Sequence, residues 1–560
     1  MSIGGPQNIP VAIVGGGPVG LMLALFLDRY GVRSVIFNSE AEVRPHPKGS
    51  SHNSRTMEHH RRLGIAQNIR SFSLPPDRPT DVSYFTRITG WELARLRMPS
   101  EAEKQRMVAA SGVTDQVPEP ILRANQMYVE AFLLAHARTR PNITVRFGWQ
   151  VDKFDDDDKG VTLEAEAVAG SAKGARETWR AQYLVGCDGG RSFVRRSLAL
   201  RYHGFAKLDA PHYGGRMIAT HMRAPTLYRD HLKHRHGWQY WTVNADARMT
   251  LISLRGDEEF LVFSKARDDA DAPPSDEAMA RHITRAIGAE LPLSMLDHRL
   301  WTAGVALVAE HFIAGRVILA GDAAHLFTPT GGFGMNTGMD DTSNLSWKLA
   351  AILQGWGGKN LLQTYETERR PVAERNTMAA RELNVHLASV TVPDTVEQDS
   401  VEGEAARRHV SAQFATFGEE FASLGVQLGA RYDGSPIITE DGAPPADNYV
   451  RYTPSSMPGG RMPHFWLDRG RGYGSSIFDR LGFGFSLLRL GGTAADTRGI
   501  AQAAHACHVP FEVLDVPDTA VRDLYERDLV LLRPDQYVAW RGNALPPEPN
   551  RLLAKLVGAL

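Results

Sequence analysis

A chain of 560 residues is too long for one compact core and is expected to divide into three or four domains. Its 63 basic and 64 acidic side chains leave a net charge of −1, which argues against a nucleic-acid or anionic-membrane partner. Cys187 and Cys507 are the only cysteines, so neither a disulfide framework nor a Cys-x-x-Cys centre is available.

The segment Met1 to Ile9 has no basic stretch or apolar signal core, and the apolar run Leu21 to Leu27 is too short to span a bilayer; a cytoplasmic protein is expected. Val11 to Val14 reads as a strand ending at Gly15-Gly16-Gly17-Pro18-Val19-Gly20, followed by a helix from Leu21 to Tyr30 and a second strand from Val32 to Phe37. In that context Gly15, Gly17 and Gly20 form a dinucleotide-binding fingerprint. Gly15 makes the turn, Gly17 admits a pyrophosphate, and Gly20 lets helix and strand pack closely. The acid that normally ends the second strand is replaced by Asn38, with Glu40 two residues on, so the ribose ligand stays open between these two.

The loop Arg44 to Glu58 carries Lys48, Ser50 and His52, and an extended backbone would place Ser50 and His52 on one face. His59 and His60, adjacent on a helix, read as surface residues. Leu122 to His136 reads as an amphipathic helix bearing Gln126 and Glu130, and Thr144–Val151 and Val161–Ala167 read as strands around the acidic hairpin tip Phe154 to Gly160. Tyr183 to Arg196 is a strand, a tight Asp188-Gly189 turn and a basic helix start. From Tyr202 to about Trp301, strands carry Phe205, Tyr213, Arg216, Trp238, Tyr240 and Arg255; Tyr240 and Arg255 are taken as candidate substrate contacts. The cluster His231, His234 and His236 is interleaved with Lys233 and Arg235 and reads as a basic loop, so no metal site is expected.

Val317 to Ala320 then leads into Gly321-Asp322-Ala323-Ala324-His325-Leu326-Phe327-Thr328-Pro329-Thr330-Gly331-Gly332-Phe333-Gly334-Met335-Asn336 and a helix reaching Trp347-Lys348. Asp322 can bond a sugar hydroxyl, and the loop glycines leave N–H groups free to point at a ligand. Tyr365 to Ser389 reads as a supporting helix, Val392 to about Pro458 as helix plus connector.

Gly-Asp-Ala-Ala-His, then Pro329-x-x-Gly332-x-Gly334-x-Asn336, then Asp341-x-x-Asn344-Leu345-x-Trp347-Lys348-Leu349, is similar to the flavin-contacting segment of single-component FAD-dependent aromatic hydroxylases. The fingerprint at Gly15, the Asp-Gly motif at Asp188 and the segment from Pro458 to His464 occur in that family's order. The resemblance implies an α/β fold, with a Rossmann-type FAD-binding domain interleaved with a β-sheet substrate domain and followed by a thioredoxin-like domain without redox cysteines. The expected division is 1–201 and 302–391 for FAD, 202–301 for substrate, 392–457 as helical connector and 458–560 as the last domain, serving as subunit contact in a homodimer or as active-site cover.

It further implies hydroxylation of a phenolic substrate with FAD, NADPH or NADH, and dioxygen, through a flavin C4a-hydroperoxide. By the same resemblance Lys48 lies near the FAD pyrophosphate, Gln126 near the ribityl chain, and Asp188 with Arg195 serves FAD and the pyridine nucleotide. Met335 and Asn336 are the expected amide donors to the flavin, and Pro329 shapes the substrate side. Many phenol hydroxylases of the group have a histidine where Ser50 stands, which makes His52 the candidate phenol base. A halogenase is the competing flavoprotein reading, although Trp-x-Trp-x-Ile-Pro is missing, and a non-catalytic FAD-binding protein is the reading from another class.

Overall fold

The computed structural model describes residues 6–157, 159–206, 214–267 and 269–560; Tyr213 and Asp158 of the expected substrate strands and acidic tip lie outside them. Strand β1 (Gln7–Val14) is buried from Val11 onward and turns into α1 (Pro18–Arg29). Pro18 sits in the first turn of α1, where its fixed φ is already helical and its missing N–H costs nothing. Val19 to Asp28 are all buried, as expected for a helix packed on every side. Then come β2 (Ser34–Asn38) and α2 (Ser54–Arg62), which Asn53 caps by accepting the Thr56 N–H at 2.8 Å.

Strands β3 (Val82–Phe85) and β4 (Glu92–Leu96) precede α3 (Gln126–Arg138). That helix starts later than its apolar pattern predicts, because Leu122–Arg123 pairs antiparallel with Ser51–His52 and Asn125 then caps the helix through the Met127 N–H. The strand expected over Thr144–Val151 is two strands, β5 (Ile143–Phe147) and β6 (Trp149–Asp156), broken where Gly148 takes φ +79°. Next are β7 (Val161–Ala167), β8 (Arg176–Gly186) and α4 (Phe193–Ser197). These lead to β9 (Gly215–Arg223), β10 (Gln239–Thr242), β11 (Met249–Ser253), β12 (Glu259–Lys265), α5 (Asp276–Ile287) and β13 (Ser294–Ala303). The chain then returns to the first layer as β14 (Val317–Leu319), α6 (Phe333–Leu353) and α7 (Thr364–Ala388).

Two sheets position the site. In the first, β14, β8, β1, β2 and β5 lie side by side and parallel, and the β6–β7 hairpin extends β8. Such strands are covered on both faces, which is why Val11–Val14 and Val317–Leu319 read as unbroken apolar runs. The second sheet has the order β13–β9–β12–β11–β10–β3–β4, antiparallel except where β10 meets β3. Strands β3 and β4 therefore join a sheet whose other members lie within 202–303, and the interleaving runs deeper than a division at residue 201.

The C-terminal part contains β15 (Phe485–Leu490), α8 (Arg498–Ala506), β16 (Phe511–Val516), α9 (Thr519–Tyr525), β17 (Leu529–Leu532), β18 (Val538–Gly542) and α10 (Pro549–Leu556). Its sheet order β16–β15–β17–β18, with β15 and β16 parallel and the others antiparallel, is the thioredoxin-like arrangement. Buried ion pairs clamp this layer to the rest. Glu368 on α7 takes both Lys348 Nζ at 2.6 Å and Arg533 Nη2 at 2.8 Å, and Glu58 on α2 takes Arg461 Nε at 3.0 Å. Removing one member of such a pair leaves a buried charge and costs about 3–5 kcal/mol.

Candidate active site

The glycine turn after β1 gives its three glycines different surroundings. Gly15 has φ +112°, and a Cβ there would lie 2.2 Å from the Cys187 carbonyl oxygen of β8's end. At Gly20 a Cβ would lie 2.0 Å from the Gly15 oxygen, so helix and turn pack against each other only without a side chain. At Gly17 a Cβ would meet nothing within 4 Å, and this residue is the N-cap of α1 with no side chain bonding the first-turn N–H groups. Open space before unsatisfied N–H groups suits a phosphate. Asn38 accepts the Gly16 N–H at 3.3 Å and so stands beside this turn, whereas Glu40 is exposed and accepts from Arg44 Nε at 3.0 Å.

Asp322 lies in the short 3₁₀ turn Gly321–Ala323, brought next to α1 because Gly321 and Gly338 leave room for Val19. Its side chain has exposed surface, yet burial is the main influence on its carboxyl and raises its pKa against the pull of His325 and Lys48. That combination describes the wall of a deep cleft. Lys48 is exposed on the same side, with its carbonyl held by Asn125 Nδ2 at 3.2 Å. Gln126, first residue of α3, is buried with its amide on Glu130.

Asp188 accepts from Ser192 Oγ and, at 3.1 Å, from the Val194 N–H, and so supports Ser192, the N-cap of α4. Burial raises its carboxyl pKa. The Arg195 guanidinium lies 3.8 Å from the Tyr202 ring centre, and the Tyr202 hydroxyl donates to the Asp322 carbonyl at 2.5 Å. The Asp-Gly motif and the Gly-Asp-Ala-Ala-His turn are thereby joined.

Pro329 begins a second 3₁₀ turn with φ −68°, and Gly331 and Gly332 follow at φ +79° and +67°, a pair of left-handed residues that side chains would strain. Gly332 is the N-cap of α6 and no side chain caps that helix, so the amides of Gly334 and Met335 belong to an uncapped first turn. Asn336 has a different part from the one its amide suggests. Its side chain accepts the Asn53 N–H at 2.9 Å and donates to the carbonyls of Ser51 at 2.9 Å and Gly332 at 2.6 Å, tying the loop to the entry of α2. Behind the loop, Asp341 collects His325, the Gly321 N–H and Arg369, while Asp340 collects Arg369 and His59. The sequence reading missed this network; acids at 340 and 341 inside a helix with few exposed positions were the available signal.

Three expectations are corrected. His52 has no exposed surface; its ring faces His60, and it is Ser51 whose side chain turns toward Gly332. Burial pushes the His52 imidazole down to about 4, and successive strand residues point to opposite faces, which removes His52 from the loop side. His59 and His60 are buried, not on the surface. Tyr240 is fully buried on the face of the second sheet that packs on α5, its hydroxyl spent on Gly237. Its neighbour Trp241 lies on the opposite, inner face with Tyr84, Met217 and Leu261. Arg255 is exposed at the turn after β11, its guanidinium 5.2 Å from the Tyr128 ring centre.

The inner face has a polar end. Tyr128 donates to Glu259 Oε2 at 3.1 Å, His221 Nε2 is 3.5 Å from the same oxygen, and His46 Nδ1 lies 2.9 Å from Asp297 Oδ2. Burial depresses the pKa of His221 and brings that of His46 to about 4, so both rings are neutral at pH 7.

Two uncapped helix N-termini, a glycine edge open to a phosphate, and an acid in a cleft form a cradle whose donors and acceptor suit FAD. Comparison with known proteins agrees. Residues 8–380 match the FAD binding domain family and residues 455–559 the aromatic-ring hydroxylase C-terminal family. The chain belongs to the FAD-dependent aromatic-ring hydroxylases, and it is an FAD-dependent monooxygenase. It is 32% identical to the FAD-dependent monooxygenase apdD of Emericella nidulans, over 98% of this chain and 90% of that one. It is 27% identical to a phenol 2-monooxygenase of a Pseudomonas species, over 97% and 91%. The rebeccamycin biosynthetic enzyme RebC, solved with reduced flavin, superposes with a TM-score of 0.87 at 32% identity, covering 100% of both chains.

Proposed function

We propose that the chain hydroxylates a phenolic ring, with NADPH or NADH as reductant, in the cytoplasm. FAD, when bound, supplies the electron transfer and the oxygen-transfer chemistry. The N–H groups at the start of α1 bind the pyrophosphate, with Lys48 adding positive charge, and Asn38 takes the adenosine ribose because Glu40 is turned to Arg44. Asp322 bonds a hydroxyl of the cofactor chain from the cleft wall, with Gln126 held by Glu130 beside it and Asp188 holding the start of α4. The uncapped amides of Gly334 and Met335 would hold the polar edge of the flavin ring, where preorganised donors are worth most. Pro329 and the left-handed Gly331–Gly332 pair shape the substrate side.

The inner face of the second sheet excludes water, and its polar end supports a replacement for His52. His221 is neutral and its Nε2 faces Glu259 Oε2 at 3.5 Å, so the carboxylate would stabilise the imidazolium; the ring takes the phenol proton on its other nitrogen.

The observation that carries this reading is the uncapped N-terminus of α6 behind two left-handed glycines, beside the exposed Asp322. The relatives' names span a phenol and polyketides, so the test is NAD(P)H oxidation by the yellow protein in air with a panel of simple and fused-ring phenols, scoring hydroxylated product and hydrogen peroxide. Stimulation with product supports the proposal. Oxidation that yields only peroxide with every phenol, or halogenated product when halide is supplied, overturns it.

A further inference from the structure

Arg123 is a buried cation at the edge of the flavin loop. Its backbone pairs with Ser51, it is 4% exposed, and it makes no ion pair among the described residues. Its Nη1 donates to Ser51 Oγ and its Nη2 to the Phe421 carbonyl at 3.0 Å, while its guanidinium carbon lies 4.1 Å from the Trp238 ring centre. These partners border both the loop and the substrate side. The Ser51 side chain faces Gly332, where a Cβ would lie 3.2 Å from it, and the Ser51 carbonyl accepts from Asn336. Phe421 follows Glu420, which accepts the Gly331 N–H, and Trp238 lies on the inner face of the second sheet.

Hydrogen bonds and stacking do not account for a charge at this place. A neutral amide could donate to Ser51 and to the Phe421 carbonyl, whereas a buried cation costs desolvation that two neutral acceptors and a ring return only in part. Glu420 is the acid whose charge acts on Arg123, yet the two form no ion pair, and burial pushes that carboxyl up to about 8. At neutral pH it is mostly protonated and leaves the cation unbalanced. On the other side Lys104, 3.9 Å from Glu101 and donating to the Ile121 carbonyl at 2.9 Å, adds a second positive group.

We propose that Arg123 is a positioning residue whose unneutralised charge, set behind Ser51 and Gly332, raises the reduction potential of the bound FAD. This rests on the reading that the flavin ring lies at the Gly331–Met335 loop. Two-electron reduction leaves negative charge on a flavin ring at neutral pH, and a fixed cation in a dry wall stabilises that charge without touching it. Arg123 has almost no exposed surface, so it acts through this field and through Ser51, not by contact with substrate.

The test is the midpoint potential of bound FAD, measured by dye equilibration at pH 6.5 for wild type, Arg123→Gln, Arg123→Lys and Ser51→Ala. Arg123→Gln should disfavour the reduced flavin at least tenfold, a shift of about 30 mV to more negative potential for a two-electron couple. Arg123→Lys keeps the charge without the fork and Ser51→Ala removes only the hydrogen bond, so both should stay within about threefold of wild type. An unshifted Arg123→Gln, or an Arg123→Lys shifted as far as Arg123→Gln, overturns the proposal. Glu420→Gln leaves Arg123 in place and remains informative if Arg123→Gln fails to hold flavin. At pH 8.5 its potential should lie above that of wild type, because the carboxylate that offsets Arg123 is gone; equal potentials overturn the proposal. The visible spectrum of the bound flavin separates this inference from the reading beneath it. A spectrum altered by Asn336→Ala, with no shift of potential in Arg123→Gln, sinks the role of Arg123 alone. A spectrum unchanged by both substitutions puts the ring away from the loop and sinks both.

Discussion

Asp341 Oδ2 lies 2.7 Å from His325 Nε2, and both side chains are fully buried. The same oxygen accepts the Gly321 N–H at 3.1 Å, so one carboxylate on α6 closes both ends of the turn that carries Asp322. Burial works against its charge, yet His325 and Arg369 hold the carboxyl below the usual range. The acid proposed to meet the cofactor is thus positioned by a second, fully buried acid.

Replacing Asp341 by Asn keeps the shape but leaves Arg369 with Asp340 as its one remaining carboxylate among the described residues and takes the negative charge away from His325. Breaking a buried pair costs about 3–5 kcal/mol, and part of that loss should appear as weaker FAD retention. We expect the Asp341→Asn protein to melt at lower temperature and to emerge from gel filtration with a reduced ratio of flavin to protein absorbance. A variant with full flavin content and unchanged melting would mean that the turn holds without this carboxylate.

Asn336 fixes the Gly332 carbonyl and the Ser51–Asn53 backbone through three hydrogen bonds. Asn336→Ala leaves those buried groups unpaired, at about 1–3 kcal/mol each before relaxation. The helix N-terminus should remain while the loop loosens. The expected signature is therefore uncoupling: NAD(P)H consumption continues, and the fraction ending as hydrogen peroxide rises. Equal coupling in variant and wild type would remove Asn336 from the role given to it.

The parts of this site that were legible in the sequence are those where backbone geometry dictates residue type. Gly15, Gly17 and Gly20 could be placed individually because a turn, an open edge and a close contact each exclude a side chain. The flavin loop was legible for the same reason, through Gly331 and Gly332. Side-chain direction was not. Whether His52 or Ser51 faces the loop depends on the register of a two-residue strand with Leu122–Arg123, and Tyr240 differs from Trp241 only by strand alternation, whose phase is set by distant packing on α5. The second sheet's theft of β3 and β4 from the N-terminal stretch was equally hidden, since pairing between residues more than 150 apart leaves no local pattern.

His52 and His221 can be separated by the pH dependence of turnover. Substitution of a base that takes the phenol proton should lower kcat and remove the acidic limb of the profile, whereas a packed histidine should affect stability alone. We expect His221→Asn to reduce kcat about 10²-fold or more at neutral pH, the scale of general base catalysis, and His52→Asn to preserve the shape of the profile. The reverse pattern would restore His52 and place the phenol on the Ser50 side.

Buried histidines also set the acid limit of stability. Burial holds His52 and His59 at about 4, below the ordinary 6.5. Unfolding then takes up protons as pH falls through 6.5, so the stability that neutral burial contributes is present above that value and is lost progressively down to about pH 4. Each group that stays unprotonated in the fold costs up to about 1.4 kcal/mol per pH unit over that window. The melting temperature should fall across it, and His52→Asn should flatten the slope relative to its own neutral value.

Glu420 makes the opposite prediction on the alkaline side. It is buried beside Arg123 and the Gly331 amide, and burial outweighs both, pushing its carboxyl up from 4.5 to about 8. A carboxyl that keeps its proton in the fold but not in the unfolded chain contributes stability that is complete below about pH 4.5 and declines as pH rises to about 8, beyond which the curve is level. Its loss of a proton also places a negative charge behind the glycine pair that shapes the flavin loop. Glu420→Gln imitates the protonated form. The variant should therefore resemble wild type at pH 6 in coupling of NAD(P)H oxidation to product, should already be spared the part of the stability loss that wild type suffers between pH 4.5 and pH 6, and should lose less of both melting temperature and coupling than wild type between pH 6 and pH 8.5. Parallel decline of the two proteins over that range would assign the alkaline loss to another group and leave Glu420 ionised beside Arg123.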